Sequence, residues 1–159
     1  MNRAANLDDA ATRLWFLNSL VTLHRSSEDG SDGVSVMEFH APYGDSPPTH
    51  LHHDDDEVFH IKQGTVRFRV GDQEFVLTTG QTAVAPKGVP HCFKVESPEG
   101  ACMVNVMTSA NFERFVQVIG RAPEAEGLPP VRRPTPEEIG RLAAAARDHH
   151  MEILGPPMA

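Results

Sequence analysis

The sequence predicts an all-β fold, an antiparallel sandwich or barrel, with a helical tail at its C-terminal end. Two observations carry that prediction. From Leu14 to Met107 the chain is a series of short apolar runs cut by turn formers about every ten residues, the spacing of strands in sandwiches and barrels. After Asn111 the period changes, and Phe112, Phe115, Val116 and Ile119 fall at helical spacing. The chain has 159 residues, about one domain, and can bury a core without disulfide or metal staples.

The elements follow in order. The first ten residues read as a polar arm or short helix, and 14–23 as a strand. A loop rich in turn formers covers 26–33, and a second strand 34–40. Pro42, Gly44, Pro47 and Pro48 then interrupt regular structure ahead of His50. Strands are expected at 58–61 and 65–70, where Val66, Phe68 and Val70 share one face and Arg67 and Arg69 form a solvated one. Gly71-Asp72 signals a hairpin into a strand at 74–77. Further strands cover 83–85, 91–95 and 101–107. In the tail, a helix is expected over 111–120, a Pro-rich linker over 122–136 and an Ala-rich helix over 139–147. Thr135 and Glu138 stand at capping-box spacing before that second helix. The close, 149–159, reads as an extended arm. Residues 1–110 are therefore expected to form one β domain, sandwich or barrel, with an N-terminal strand extension, and 111–159 a helical appendage on or beside it.

Composition excludes several roles. With 22 acidic and 14 basic residues the net charge is −8, a poor match for nucleic acid or an anionic membrane. Apolar runs fall far short of the roughly 20 residues of a membrane span. Cys92 and Cys102 make no disulfide scaffold, and the N-terminus has no signal-peptide core, so a cytoplasmic location is expected.

Nine histidines are a rich supply for such a chain, and their placement suggests a site. His50 and His52 are two apart, so in an extended segment both imidazoles project from one face. Glu57, Phe59 and Ile61 share a face, and the bulk of Phe59 and Ile61 marks it as the interior. His91, Phe93 and Val95 point inward in the same way. His50, His52, Glu57 and His91 are thus the expected metal ligands. His53 and His60 fall on the opposite parity and are expected to be exposed. Asp54, Asp55 and Asp56 read as a solvated loop, and His24, His149 and His150 lie outside the pattern. Glu38 and His40, on the preceding strand, are candidates for support behind the ligands. Cys92 should face away from His91 as a buried thiol.

These residues sit in two spaced motifs, Gly44-x5-His50-x-His52-x4-Glu57-x6-Gly64 and Gly80-x5-Pro86-x-Gly88-x2-His91. In both the chain resembles the cupin superfamily, departing only at Val95, where the family often has Asn. The resemblance implies a small antiparallel β-barrel, a double-stranded β-helix or jelly roll, with short C-terminal helices. It implies one divalent transition metal per chain (Fe, Mn, Ni, Co, Cu or Zn) held by the same four residues, a donor set that suits such metals rather than Ca or Mg. Four further segments look like single-domain bacterial cupins of the quercetin dioxygenase-like type: Leu14-Trp15-Phe16-Leu17, Pro47-Pro48-Thr49-His50, Asn111-Phe112-Glu113-Arg114-Phe115 and the close from Glu152 through Pro157.

That likeness implies a dioxygenase of small phenolic or enolic substrates, with Glu57 both ligand and base. Phe59, Phe68 and Phe93 are expected to wall the substrate pocket. A non-oxidative metal-dependent isomerase or lyase, and a small-ligand-binding module without turnover, are the alternatives. A homodimer is expected by family analogy.

Overall fold

Alternating apolar and polar side chains become β-structure through most of the chain. The computed structural model describes residues 11–29 and 33–159, so the N-terminal arm and part of the 26–33 loop lie outside the described residues. The strands are β1 (Thr12–Phe16), β2 (Ser19–Arg25), β3 (Ser35–Ala41), β4 (Pro48–His52), β5 (Glu57–Gln63), β6 (Thr65–Val70), β7 (Gln73–Thr78), β8 (Thr82–Ala85), β9 (His91–Val95) and β10 (Ala101–Met107). Two helices, α1 (Asn111–Ile119) and α2 (Pro136–Asp148), precede a last strand, β11 (Met151–Pro157).

The strands form two antiparallel sheets, a larger one in the order β1-β2-β3-β10-β5-β8 and a smaller one in the order β11-β4-β9-β6-β7. Met37, Phe39, Phe59, Ile61 and Met103 of the larger sheet and Val66, Phe68 and Val95 of the smaller belong to one buried core. This is the expected jelly roll, with one difference: the ladder of hydrogen bonds does not run from sheet to sheet, so the barrel is two packed sheets. No helix among the described residues is long and apolar enough to cross a membrane.

The single strand expected over 14–23 is a hairpin. β1 and β2 pair from Phe16↔Ser19 to Thr12↔Leu23, and Leu17 takes the turn at φ 53°. A leucine in that conformation is uncommon, so the turn carries no Gly, Asn or Asp signal at the position that bends.

Gly64, between β5 and β6, has an identifiable constraint. Its φ is 97°, and an added Cβ would lie 2.6 Å from Ser97 Oγ and 2.7 Å from the Gly100 carbonyl oxygen. Ser97 is fixed there, accepting from the Thr65 amide and donating to the Gly100 carbonyl.

The tail matches the helical expectation and departs from it at the close. Thr135 caps α2 with both bonds of the capping box, as its spacing with Glu138 predicts. Residues 151–157 are a strand rather than a free arm: β11 pairs with β4 through Met151↔His52, Glu152↔Leu51 and Ile153↔His50. Gly155-Pro156-Pro157 reads as arm in the sequence, but the strand tolerates prolines because it is the edge of its sheet.

Gly64→Ala is expected to destabilise the fold by about 1–3 kcal/mol, the usual cost of a strained backbone position. The midpoint of urea unfolding measures it, and an unchanged midpoint would refute the assigned constraint.

Candidate metal centre

β4 and β9 lie side by side in the smaller sheet with His50 directly opposite His91. His52 follows His50 on the same face of β4. Glu57 opens β5 on the facing sheet, paired with Met107 of β10 and Ala85 of β8. Two sheets thus bring the four predicted ligands to one point, with a ligating atom of each within 4.8 Å of all the others.

The imidazoles stand with ring centroids 4.5 Å apart for His50 and His91, 5.3 Å for His50 and His52, and 5.4 Å for His52 and His91. His50 Nδ1 lies 2.7 Å from the Pro48 carbonyl oxygen and His91 Nδ1 2.9 Å from that of Val89. A ring that donates from Nδ1 presents its Nε2 lone pair, the form a metal takes. His91 Nε2 is 3.0 Å and His52 Nε2 3.2 Å from Glu57 Oε2. Asn105 Nδ2, on β10, donates to Glu57 Oε1 at 2.6 Å.

The electrostatics of His50 and Glu57 suit a site prepared for a cation. Burial lowers the His50 pKa to about 3, helped by the neighbouring His91 and His52, so this imidazole is neutral. Burial opposes the Glu57 charge, but contacts with His52 and His91 outweigh it and hold the carboxyl well below the ordinary range. Burial also works to lower His91, and its bond to Glu57 overcomes that, leaving the pKa raised. His52 is 1% exposed; its Nε2 is near enough to Glu57 Oε2 for charge attraction, but neither ring nitrogen makes a hydrogen bond of good geometry. A buried, unpartnered imidazole nitrogen costs free energy unless a ligand takes it. Three imidazoles and a carboxylate could hold one transition metal, and the orphaned His52 fits that use.

Other residues depart from the sequence reading. Asp55 is not in a solvated loop: it is 0% exposed, with Oδ2 3.8 Å from His52 Nδ1, a carboxylate placed behind the imidazole. Glu38 and His40 do not support the centre, because Met37, Phe39 and Ala41 face the core and leave the even positions of β3 on the outer surface. His53 and His60 are largely outside, His53 beside Glu152 and His60 on Thr82, as parity predicts. Cys92 is buried as expected.

A cavity of about 1200 Å³ opens onto His50 and Glu57, lined by Phe59, Phe93, Met103 and Asn105. Phe68 is not among its walls. It lies behind, 5.0 Å from Phe59 and 5.8 Å from Phe93 between ring centroids. Sequence reasoning missed Asn105, although a lone polar residue in the inward series Ala101, Met103, Asn105, Met107 marks it. It also missed the tail's part in the cavity, where Phe112 and Phe115 of α1, Leu142 of α2 and Ile153 of β11 form wall. Phe112 packs edge-on to His52, centroids 5.3 Å apart.

Asp45, also on the cavity wall, is a half-buried acid held by Asn18 Nδ2 and Ser19 Oγ, each at 3.2 Å. Burial raises its pKa and outweighs those two donors. An acid raised in this way adds stability below its unfolded pKa and loses it as pH rises through the folded value. Asp45→Asn, whose amide oxygen can accept from Asn18 and whose NH2 can donate to the Ser19 hydroxyl, is therefore expected to be at least as stable as the parent at neutral pH. Its advantage should shrink as pH falls through the carboxylate range. Unfolding midpoints measured across that range check this, and a difference independent of pH would contradict it.

Comparison with known proteins extends these findings. A family profile described as "Cupin domain" matches residues 37–107, which include all four ligand candidates. Quercetin 2,3-dioxygenase of Bacillus subtilis is 24% identical over 136 residues, 84% of this chain; the chain spans 39% of that relative's length. Among solved structures, an oxalate decarboxylase variant from Bacillus subtilis aligns with a TM-score of 0.56 at 16% identity, covering 73% of this chain and 33% of that one. KdgF from Halomonas sp. aligns at 0.52 and 14% identity, over 57% of this chain and 78% of its own. The polyketide cyclase RemF from Streptomyces resistomycificus aligns at 0.51 and 20%, over 67% and 78%. At these identities the structural likenesses establish the fold alone.

Proposed function

We propose that the chain, whose residues 37–107 match the cupin-domain profile, is a cupin and a metal-dependent dioxygenase of small phenolic or enolic substrates. The observation that carries this reading is the aromatic-walled cavity ending on two of the four ligand candidates, His50 and Glu57. The likeness to quercetin 2,3-dioxygenase supports the substrate class.

His50, His52, Glu57 and His91 would hold one divalent transition metal. When bound, the metal supplies a Lewis acid for a substrate oxygen and a redox partner for dioxygen. The protein's own groups do the rest. Phe59 and Phe93 exclude water and hold a flat ring against the centre. Glu57 is assigned as the base by its place on the cavity wall, where its carboxylate can accept the proton of a substrate hydroxyl within hydrogen-bond reach. Asn105 holds Oε1 of that carboxylate in place.

The division into a jelly roll over 1–110 and an appendage over 111–159 belongs to this proposal, the appendage serving to complete the cavity wall. So does the homodimer, which exposed Val118, Ile139 and Val131 support; Val131 is 71% exposed, and all three stand at the cavity. The free thiols Cys92 and Cys102 support a cytoplasmic location.

Elemental analysis of protein purified without a His tag or chelator tests the centre. His50→Ala/His52→Ala is expected to lose about one equivalent of metal relative to the parent, the complement of a single centre. The loaded parent is then expected to consume oxygen with flavonol or other enediol-like substrates. Activity undiminished under anaerobic conditions with a redox-inert metal would replace the dioxygenase with an isomerase or lyase. Equal, empty metal content in both proteins would leave a ligand-binding module.

Asn105→Ala should weaken metal retention about 10- to 100-fold against a competing chelator, the usual effect of removing a group that orients a ligand. Unchanged retention would remove Asn105 from the centre.

A further inference from the structure

We propose that the outer face of the larger sheet carries a second metal site, in which Glu38, His40 and Cys102 bind Zn²⁺. The three residues lie outside the jelly roll's interior, on the opposite side of β3 and β10 from the centre already described. Glu38 and His40 are two apart on β3 and project from the same face. Cys102 of β10 stands directly opposite His40 in the register. Glu38 Oε1 is 2.8 Å from His40 Nε2, and Cys102 Sγ is 3.7 Å from that same nitrogen. One ligating atom from each of the three lies within 4.8 Å of the other two.

These separations suit a tetrahedral ion. With Zn–S near 2.3 Å and Zn–N near 2.0 Å, a thiolate sulfur and an imidazole nitrogen on one zinc are about 3.5 Å apart. The sulfur and nitrogen are already close to that spacing. His40 is 47% exposed on its side chain, so its ring has room to widen the shorter distance to Glu38. His24 Nε2, on β2, is 3.5 Å from Glu38 Oε2, on the far side of that carboxylate from His40 Nε2 and outside the cluster of three mutually close donors, so the remaining coordination position is left to water.

The donor types point to zinc rather than to a hard cation. A glutamate among basic groups is by itself an ordinary surface ion pair, and Lys62 Nζ at 2.6 Å from Glu38 Oε2 makes one. A soft sulfur joining an imidazole and a carboxylate is a different set, one that selects zinc over magnesium or calcium. Lys62 holds only one carboxylate oxygen and leaves Oε1 directed at His40. On binding, the Cys102 thiol gives its proton to solvent, and the metal–thiolate bond replaces the S–H bond.

An approach path exists. A surface cleft of about 320 Å³ is lined by His40 and Cys102, together with Leu20, Gln63, Arg13 and Glu99. An ion therefore reaches His40 and Cys102 without passing through the interior.

Cobalt(II) titration of the metal-free full-length chain is the test, because Co²⁺ takes zinc sites and a cobalt–thiolate bond gives a charge-transfer absorption. The interior donor set has no sulfur, so that absorption reports the outer site alone. It is expected in the parent and in Cys92→Ser, and absent from Cys102→Ser with one fewer cobalt bound. His40→Ala, a substitution at a half-exposed side chain, should need at least about tenfold more cobalt, since even groups behind a metal's ligands are worth that much. No thiolate band in the parent, a band that survives in Cys102→Ser, or an unshifted titration in His40→Ala would each overturn the proposal.

Discussion

Glu57 is an acidic side chain, 2% exposed, that stays ionised between two packed sheets. Taking a carboxylate out of water costs several kcal/mol unless partners surround it, and the fold is arranged around supplying them. Asn105 comes from the next strand of the same sheet, and His52 and His91 come from the facing sheet. Because the partners lie on both sheets, the distance between the sheets is set by polar contacts as well as by the apolar core. The turns share in this. The Gly88 amide donates to the His52 carbonyl at 2.7 Å, tying the connection between β8 and β9 to the strand that carries two imidazoles. Motif glycines and motif histidines are thus parts of one device.

The tail answers a second requirement of the same site. Without β11, the ligand strand β4 would be the edge of the smaller sheet, with unpaired backbone groups beside His50 and His52. β11 covers that edge in register with both. α1 adds an aromatic cluster in which Phe16, Phe39, Phe112 and Phe115 meet with centroids 5.7–6.4 Å apart. That cluster closes one end of the cavity and braces His52 through Phe112. The tail and the sheets before it therefore line one cavity.

What could be read from the chain depended on whether a local pattern controls the outcome. Side-chain parity is local, so the convergence of the four ligand candidates and the outward placement of His53 and His60 were legible from alternation and spacing. The capping box at Thr135 was legible for the same reason. Where the outcome depends on a contact made elsewhere, the text was silent. Asp55 reads as one of three acidic loop residues, and only its place behind His52 buries it. The Leu17-Asn18 turn takes its positive φ at the leucine and not at the turn-forming Asn18, between the buried Phe16 and Leu20. Glu38 and His40, candidates for support behind the ligands, do not reach the centre, because Met37 and Phe39, the apolar half of the alternation on β3, occupy the interior.

β10 shows how one strand serves two chemistries. Its odd positions point inward and include Asn105, which holds Glu57; its even positions point outward and include Cys102, which meets His40. A period of two keeps these sets apart, and a slip of one residue would exchange them. The partner strand reinforces the separation. β10 pairs with β5 in a register that jumps from Met103↔Ile61 to Cys102↔Gln63, so Lys62 is an extra residue without a partner in the ladder. An extra residue of this kind re-aims its side chain, and that of Lys62 crosses the outer face to Glu38. The bulge follows the last inward residue of β5, Ile61, so the Glu57, Phe59 and Ile61 series is complete before the strand changes course. The irregularity thus falls where it alters the outer face and leaves the interior site untouched.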